Sequence, residues 1–183
     1  MQILWILIGV LILVGLWLIL SYNGLISLRN RSDEAWSDIS VQMKRRYDLI
    51  PNLVNTVKGY AAHEAGVFQQ VTEARAAAMG ARTLEEHAEK EAALTSTLKT
   101  LFAVSENYPT LQASQNFLDL QRELTDAEDK IQAARRFYNG NVREYNTRLQ
   151  SFPVNMIAGT FAFTAKEFFV MPESEKAVPE VKF

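Results

Sequence analysis

The chain has 183 residues, room for one modest domain and too few for a two-domain enzyme. Its 19 Lys and Arg against 21 Asp and Glu leave a net charge of −2, so bulk electrostatics gives no reason to expect nucleic-acid binding. The absence of cysteine excludes disulfides, thiol catalysis, thiolate metal sites and acylation on a thiol.

Apolar residues make up 48% of the chain, and 17 of them fall in the first 20 positions. Residues 3–20, ILWILIGVLILVGLWLIL, carry no charge and are apolar all round. As a helix they rise ~27 Å, close to the ~30 Å hydrocarbon thickness of a bilayer. Trp5 and Trp17 stand near the ends, where indole rings favour the interface. Residues 1–21 therefore read as a transmembrane anchor that contacts lipid through residues 3–20. Nothing basic precedes the run and no small-x-small pattern follows it, which argues against a cleaved signal. The nearest cations, Arg29 and Arg31, then Lys44, Arg45 and Arg46, all come after the span and predict a single-pass protein of the cytoplasmic (inner) membrane with its bulk on the cytoplasmic side. Gly9 and Gly15 are six apart, the wrong spacing for close packing of two spans.

Beyond the span, Trp36, Ile39, Met43, Tyr47, Ile50, Val54, Val57, Ala61, Phe68, Val71, Ala74 and Ala78 recur at steps of three and four, apart from one gap across Glu64. This predicts one long helix over residues 32–79, ~70 Å tall, with a hinge at residues 49–52 where Pro51 kinks or divides it. Gly80 supplies the left-handed residue that ends many helices. Thr83 and Glu86 form a capping box for the next helix, whose stripe is Leu84, Ala88, Leu94, Leu98, Leu101 and Phe102 and which stops before Pro109. A further helix carries Leu111, Phe117, Leu120, Leu124, Ala127, Ile131, Ala134, Tyr138, Val142, Tyr145 and Leu149. Its phase survives Asn139, Gly140 and Asn141, so these residues are expected inside the helix and not in a hairpin turn.

The fold class expected is all-α: an N-terminal transmembrane helix followed by a long antiparallel up-and-down helical bundle over residues 22–171. Residues 156–171 hold Phe161, Phe163, Phe168 and Phe169. Read as a C-terminal helix, they are either a packing partner for the long helices or an interfacial or oligomer-forming element. Residues 172–183, with two prolines and alternating charge, read as a flexible tail.

Motifs for chemistry are missing. His63 and His87 lie in no HExxH or Glu-x-x-His pattern, and the glycines form neither a dinucleotide fingerprint nor a phosphate-binding loop. No catalytic residue, metal ligand, cofactor or small-molecule substrate is expected. Lys44, Arg45 and Arg46 are the densest charge and read as an ordinary solvated or internally paired face, or as a protein-docking patch. On a straight helix they stand ~36 Å past the span, too far for lipid headgroups, whereas Arg29 and Arg31, at ~14–16 Å, are better placed for headgroup contact.

Several runs together resemble the LemA family: Tyr22 and Asn23, the LRNR ending at Arg31, QMKRRYDLIPNLVNTVKGYAAHE over residues 42–64, VTEARAAAM over 71–79, YPTLQASQNFLDLQRELTDAEDKI over 108–131 and ARRFYN over 134–139. The resemblance implies a bacterial membrane protein with an N-terminal anchor and a long helical bundle. It implies no biochemical activity and carries no catalytic residues. It also implies an association with the cell envelope and with a membrane protease. The function expected is a non-enzymatic, membrane-anchored scaffold that self-associates as a homo-oligomer, with an adaptor for a membrane protease or envelope-stress sensor as the alternative.

Overall fold

The computed structural model describes residues 1–170, and all regular structure among them is helical. Helix α1 (Gln2–Lys58) is one unbroken element of 57 residues. Its apolar N-terminal part leaves the large side chains of residues 3–20 exposed, and it is the one helix among the described residues long and apolar enough to cross a membrane. Span and following helix are thus continuous. Residues 21–31 contain no proline, and Ser32 returns its hydroxyl to the Leu28 carbonyl at 3.0 Å, keeping its side chain within the helix's own hydrogen bonding.

The expected helix over residues 32–79 is two helices. The break is not at Pro51, which lies inside α1, but at residues 59–64, where the sequence pattern also lapses. There Tyr60 and Ala61 both donate to the Val57 carbonyl, at 3.0 and 2.9 Å, and Glu64 donates to Ala61 at 3.1 Å, so a run of turns replaces the helix. Helix α2 (Ala65–Met79) follows. Gly80 is not left-handed as expected: at φ −86° it donates its N–H to both Ala76 and Ala77 carbonyls and tapers the helix in the right-handed sense. Helix α3 (Leu84–Ser105) begins with the expected box. The Glu86 N–H donates to the Thr83 hydroxyl at 3.1 Å, and the Glu86 carboxylate accepts from the Thr83 and Arg82 N–H groups at 3.3 and 2.7 Å. One extra turn, α4 (Pro109–Gln112), separates it from α5 (Gln115–Gln150), which passes through Gly140 without interruption.

The Phe-rich C-terminal helix is mostly absent. Helix α6 (Val154–Thr160) has only 7 residues, and residues 163–170 form no regular structure. Ala162 ends it with φ 54°, and Phe163 and Ala162 donate back to the Ala158 and Gly159 carbonyls, the paired bonds of a Schellman stop. A left-handed stop built on an ordinary residue has no signature in composition. The expected tail over residues 172–183 lies outside the described residues.

The chain divides into two units. The anchor unit comprises Met1–Ser37 and Arg135–Phe168. In it α1 and α5 run antiparallel, with Trp36 against Tyr138 and Leu25 packed with Tyr145, Val154 and Ala158. The bundle unit comprises Asp38–Ala134 with residues 169 and 170. Its interior side chains include Ile39, Met43, Ile50, Leu53 and Val57 from α1, Val71 from α2, Leu94, Leu98 and Leu101 from α3, and Phe117, Leu124 and Ile131 from α5. The stripes lie close to where helical spacing puts them, with Leu53 buried in place of Val54.

The two backbone N–H groups on the Glu86 carboxylate hold its pKa below the ordinary glutamate value. The cap's contribution is therefore complete above that ordinary value and is lost as pH falls through the lower folded one. Amide exchange in the first turn of α3 should accelerate over that acidic window in the native protein and be insensitive to it in Glu86→Gln.

Candidate functional site

Helix α1 meets a difficulty of its own sequence at Pro51. Proline has no N–H, so the carbonyl four residues earlier, that of Tyr47, loses its helical donor. In the structure the Arg75 Nε of α2 donates to the Tyr47 oxygen at 2.7 Å. A cation from the neighbouring helix stands where the backbone amide is missing, and α1 continues.

Around this point the bundle unit buries charge. Arg46 is 1% exposed and Glu91 of α3 is also 1% exposed. The Arg46 guanidinium donates to Glu91 and to Glu128 of α5, and to the Thr95 hydroxyl at 3.2 Å. The Tyr47 phenol donates to the other Glu91 oxygen. Both charges are in phase with the apolar stripes, Arg46 between Met43 and Ile50 and Glu91 between Ala88 and Leu94. Helical geometry left them nowhere to go but inward. An Arg fork engaging two carboxylates is the arrangement that best offsets the desolvation of such groups. Beside it lies a groove of about 190 Å³, walled by Leu98, Phe102 and Leu124 and rimmed by Arg46, Glu128 and Thr95.

Lys44, Arg45 and Arg46 accordingly do not share one exposed face. Lys44 pairs with Asp48 at 2.8 Å on the same helix, Arg45 reaches Asp126 of α5 at 2.9 Å, and Arg46 is interior. Asp126 also binds Lys130 at 2.9 Å, and Lys130 first, then Arg45, hold its carboxyl below the usual range. His63 is exposed, and burial pushes the half-buried His87 imidazole down. Among the described residues no group of three or more His, Asp or Glu is placed to hold a metal ion.

The anchor unit gathers the aromatic candidates differently. Tyr22 of α1 receives Phe161 and Phe163 edge-on, with ring centroids 5.0 and 5.6 Å away, and the Arg29 guanidinium lies 5.9 Å from the Phe163 ring centroid. Arg31 is exposed. Residues 163–168 form a strap held by α5. The Tyr145 phenol donates to the Thr164 carbonyl at 3.0 Å, the Tyr138 phenol to the Glu167 carbonyl at 3.0 Å, and the Asn146 amide exchanges two bonds of 2.9 Å with the Lys166 backbone. Lys166 also pairs with Asp33 of α1. Burial pushes both phenols upward, so they remain donors throughout the neutral range. Phe168 is exposed and Phe169 buried. Tyr138 and Tyr145 share one face of α5 because their spacing of seven nearly completes two turns, and Asn146 stands about 100° further round, beside them. The apolar spacing revealed the tyrosines but not that their hydroxyls hold an irregular segment.

If Arg75 replaces the donor that proline lacks, the two residues must be coupled. Arg75→Ala should cost roughly 1.5–3 kcal/mol, the range for hydrogen bonds to charged groups, and clearly less in a Pro51→Ala background, where the helix supplies its own N–H. Equal costs in both backgrounds, read by chemical denaturation, would disprove the coupling. Glu91→Ala, which strips a buried carboxylate from Arg46 and Tyr47, should cost roughly 3–5 kcal/mol. The pair Arg46→Met with Glu91→Leu should recover much of that loss in the same measurement.

The sequence pattern of the LemA family matches residues 35–183. The chain is similar to Magnetosome protein MamQ 2 of Paramagnetospirillum magneticum (strain ATCC 700264 / AMB-1), 24% identical over 178 residues, covering 83% of this chain and 65% of that protein. It is also similar to Magnetosome protein MamQ of Magnetospirillum gryphiswaldense (strain DSM 6361 / JCM 21280 / NBRC 15271 / MSR-1), 25% identical with the same coverage. Protein LemA of Metamycoplasma hominis (strain ATCC 23114 / DSM 25592 / NBRC 14850 / NCTC 10111 / PG21) is 26% identical over 137 residues, 74% of this chain and 63% of that protein. The chain thus spans a little under two thirds of the length of these relatives, and it is a membrane-associated helical protein. With the family pattern matched over all of α2 to α6 and most of the folded part of α1, the chain belongs to the LemA family.

Proposed function

We propose that this protein is a non-enzymatic, membrane-anchored scaffold of the bacterial cell envelope that self-associates in the inner membrane, with its folded part on the cytoplasmic side. One observation carries the reading: the span and the folded part of the anchor unit share the single helix α1 with no linker between them. Whatever that unit holds is held at the membrane. Arg29 and Arg31 directly after the span support the cytoplasmic orientation. Self-association is supported by apolar side chains of the anchor unit that lie beyond the span yet stay exposed, among them Phe137 at 60% and Phe168 at 41%. The non-enzymatic reading is supported by the use of the buried charges: Arg46 bonds both Glu91 and Glu128, so the charges beside the groove are engaged with one another.

The adaptor reading places its docking surface on Lys44, Arg45 and Arg46. It has less support, because one of the three is interior and the other two are engaged with carboxylates. Gentle extraction from the native membrane, light scattering and mass spectrometry of the particle separate the two readings. A particle of several copies of this chain alone is expected for the scaffold. A stoichiometric second protein would favour the adaptor, and a monomer in mild detergent would reject self-association.

A further inference from the structure

We infer that the turn after α5 and the exposed side of α6 form a foot seated in the headgroup and upper acyl zone of the same bilayer that the span crosses. Phe152, Met156 and Phe161 are its contacts. The inference deepens the proposed function and rests on its membrane span.

Helix α5 runs antiparallel to α1: Tyr138 meets Trp36, and seven residues later Tyr145 packs with Leu25. Leu149, one turn further, packs on that same cluster. Continuing this course, the end of α5 at Gln150 arrives beside the start of the folded part of α1, where the apolar run ends at Leu20. Phe161, the residue that closes α6, confirms the level independently. Its ring lies 5.0 Å from that of Tyr22, and with Leu18, Ile19, Tyr22 and Asn23 it lines an apolar groove of about 270 Å³. Leu18 and Ile19 belong to the span itself, so the groove straddles the edge of the lipid-facing surface.

The side chains at this level are the wrong ones for water. Phe152 is 80% exposed, Met156 66% and Phe161 57%, while Val154, Ile157 and Ala158 of the same segment are turned inward. Helix α6 therefore packs one apolar side on Leu25 and Tyr145, and its open side carries Met156 beside Asn155 and Thr160, with Phe152 and Phe161 open at its two ends. The open side is continuous, through Phe161, with a surface that must already lie in hydrocarbon. A bilayer covers such a side without any further protein, and Phe, Met and Tyr favour that zone. Arg29, held over Phe163, brings a guanidinium towards the phosphate layer above it.

The native chain has no cysteine, so single labels report cleanly. Phe152→Cys, Met156→Cys and Phe161→Cys, each spin-labelled in the full chain and reconstituted in vesicles of phosphatidylcholine and phosphatidylglycerol, are compared by power saturation with oxygen and with a water-soluble nickel chelate. Leu18→Cys is the reference for the span and Met79→Cys, exposed on α2, the reference for water. Labels at 152, 156 and 161 should collide more with oxygen than with the chelate, as Leu18 does, and opposite in sign to Met79. Nickel access equal to that of Met79, with Leu18 still protected, would overturn the foot and leave the span standing. Nickel access at Leu18 as well would overturn both. Spin–spin broadening at the three foot positions would overturn the lipid contact in favour of a second copy of the chain. Because Phe152 and Met156 are the more exposed of the three, their labels keep the test valid if Phe161→Cys disturbs the Tyr22 contact.

Discussion

The missing amide of Pro51 is the constraint around which the bundle unit is arranged. A helix interior tolerates proline only if the carbonyl it abandons finds another donor, and here that donor is an arginine one helix away. The Tyr47 residue whose carbonyl is rescued also sends its phenol to Glu91, and its neighbour Arg46 closes the same carboxylate from the other side. One short stretch of α1 thereby fixes the positions of α2 through Arg75, α3 through Glu91 and Thr95, and α5 through Glu128. Apolar stripes of leucine and alanine allow helices to slide by a turn at little cost. A directional set of charged hydrogen bonds disfavours other registers, since a slip strands a buried ion.

This division of labour explains what the sequence disclosed and what it withheld. The long helical stretches are legible because their residues carry stripes at steps of three and four, and the start of α3 is legible because Thr83 and Glu86 spell their own hydrogen bonds. The lapse in spacing across Glu64 was the true end of a helix, whereas the proline, the stronger local signal, was not. Propensity describes what a residue does to its own helix, and Arg75 lies 28 residues away from the carbonyl that it satisfies. The charged core was visible in principle. Arg46 and Glu91 occupy stripe positions, and a charge in phase with an apolar stripe is buried unless the helix turns away. Reading KRR as one face, solvated or internally paired, leaves out that three successive residues on a helix point in three directions, so that Lys44, Arg45 and Arg46 meet different partners.

The C-terminal phenylalanines were misjudged for a related reason. Counting aromatics suggested one long helix with more apolar faces than neighbours to cover them. The chain instead stops α6 at Ala162 and lays the following residues out as a strap whose backbone is bonded by Tyr138, Tyr145 and Asn146. Irregular backbone must find donors and acceptors outside itself, and α5 supplies them from residues that also belong to its packing face. The four phenylalanines thereby separate into different settings. Phe163 packs on the anchor core, Phe169 is buried in the bundle unit, and Phe161 and Phe168 remain open.

The two units put their polar chemistry to the same use in different materials. In the bundle unit ion pairs specify which helices meet. In the anchor unit two phenols, which keep their protons across the neutral range, and an amide fasten the backbone of the strap beside a helix that continues into an apolar span, and the ion pair of Lys166 with Asp33 joins them at the partly exposed side. Charge close to a membrane is costly to bury, because lipid offers no solvent to relax it, so neutral donors suit that end of the chain. The exposed large apolar side chains are concentrated in the span, with others around α6 at Phe152, Met156 and Phe161. The buried polar side chains of Arg46, Glu91, Tyr138 and Tyr145 are engaged in the protein's own architecture, and the surface beside the span carries open apolar side chains at those three positions around α6.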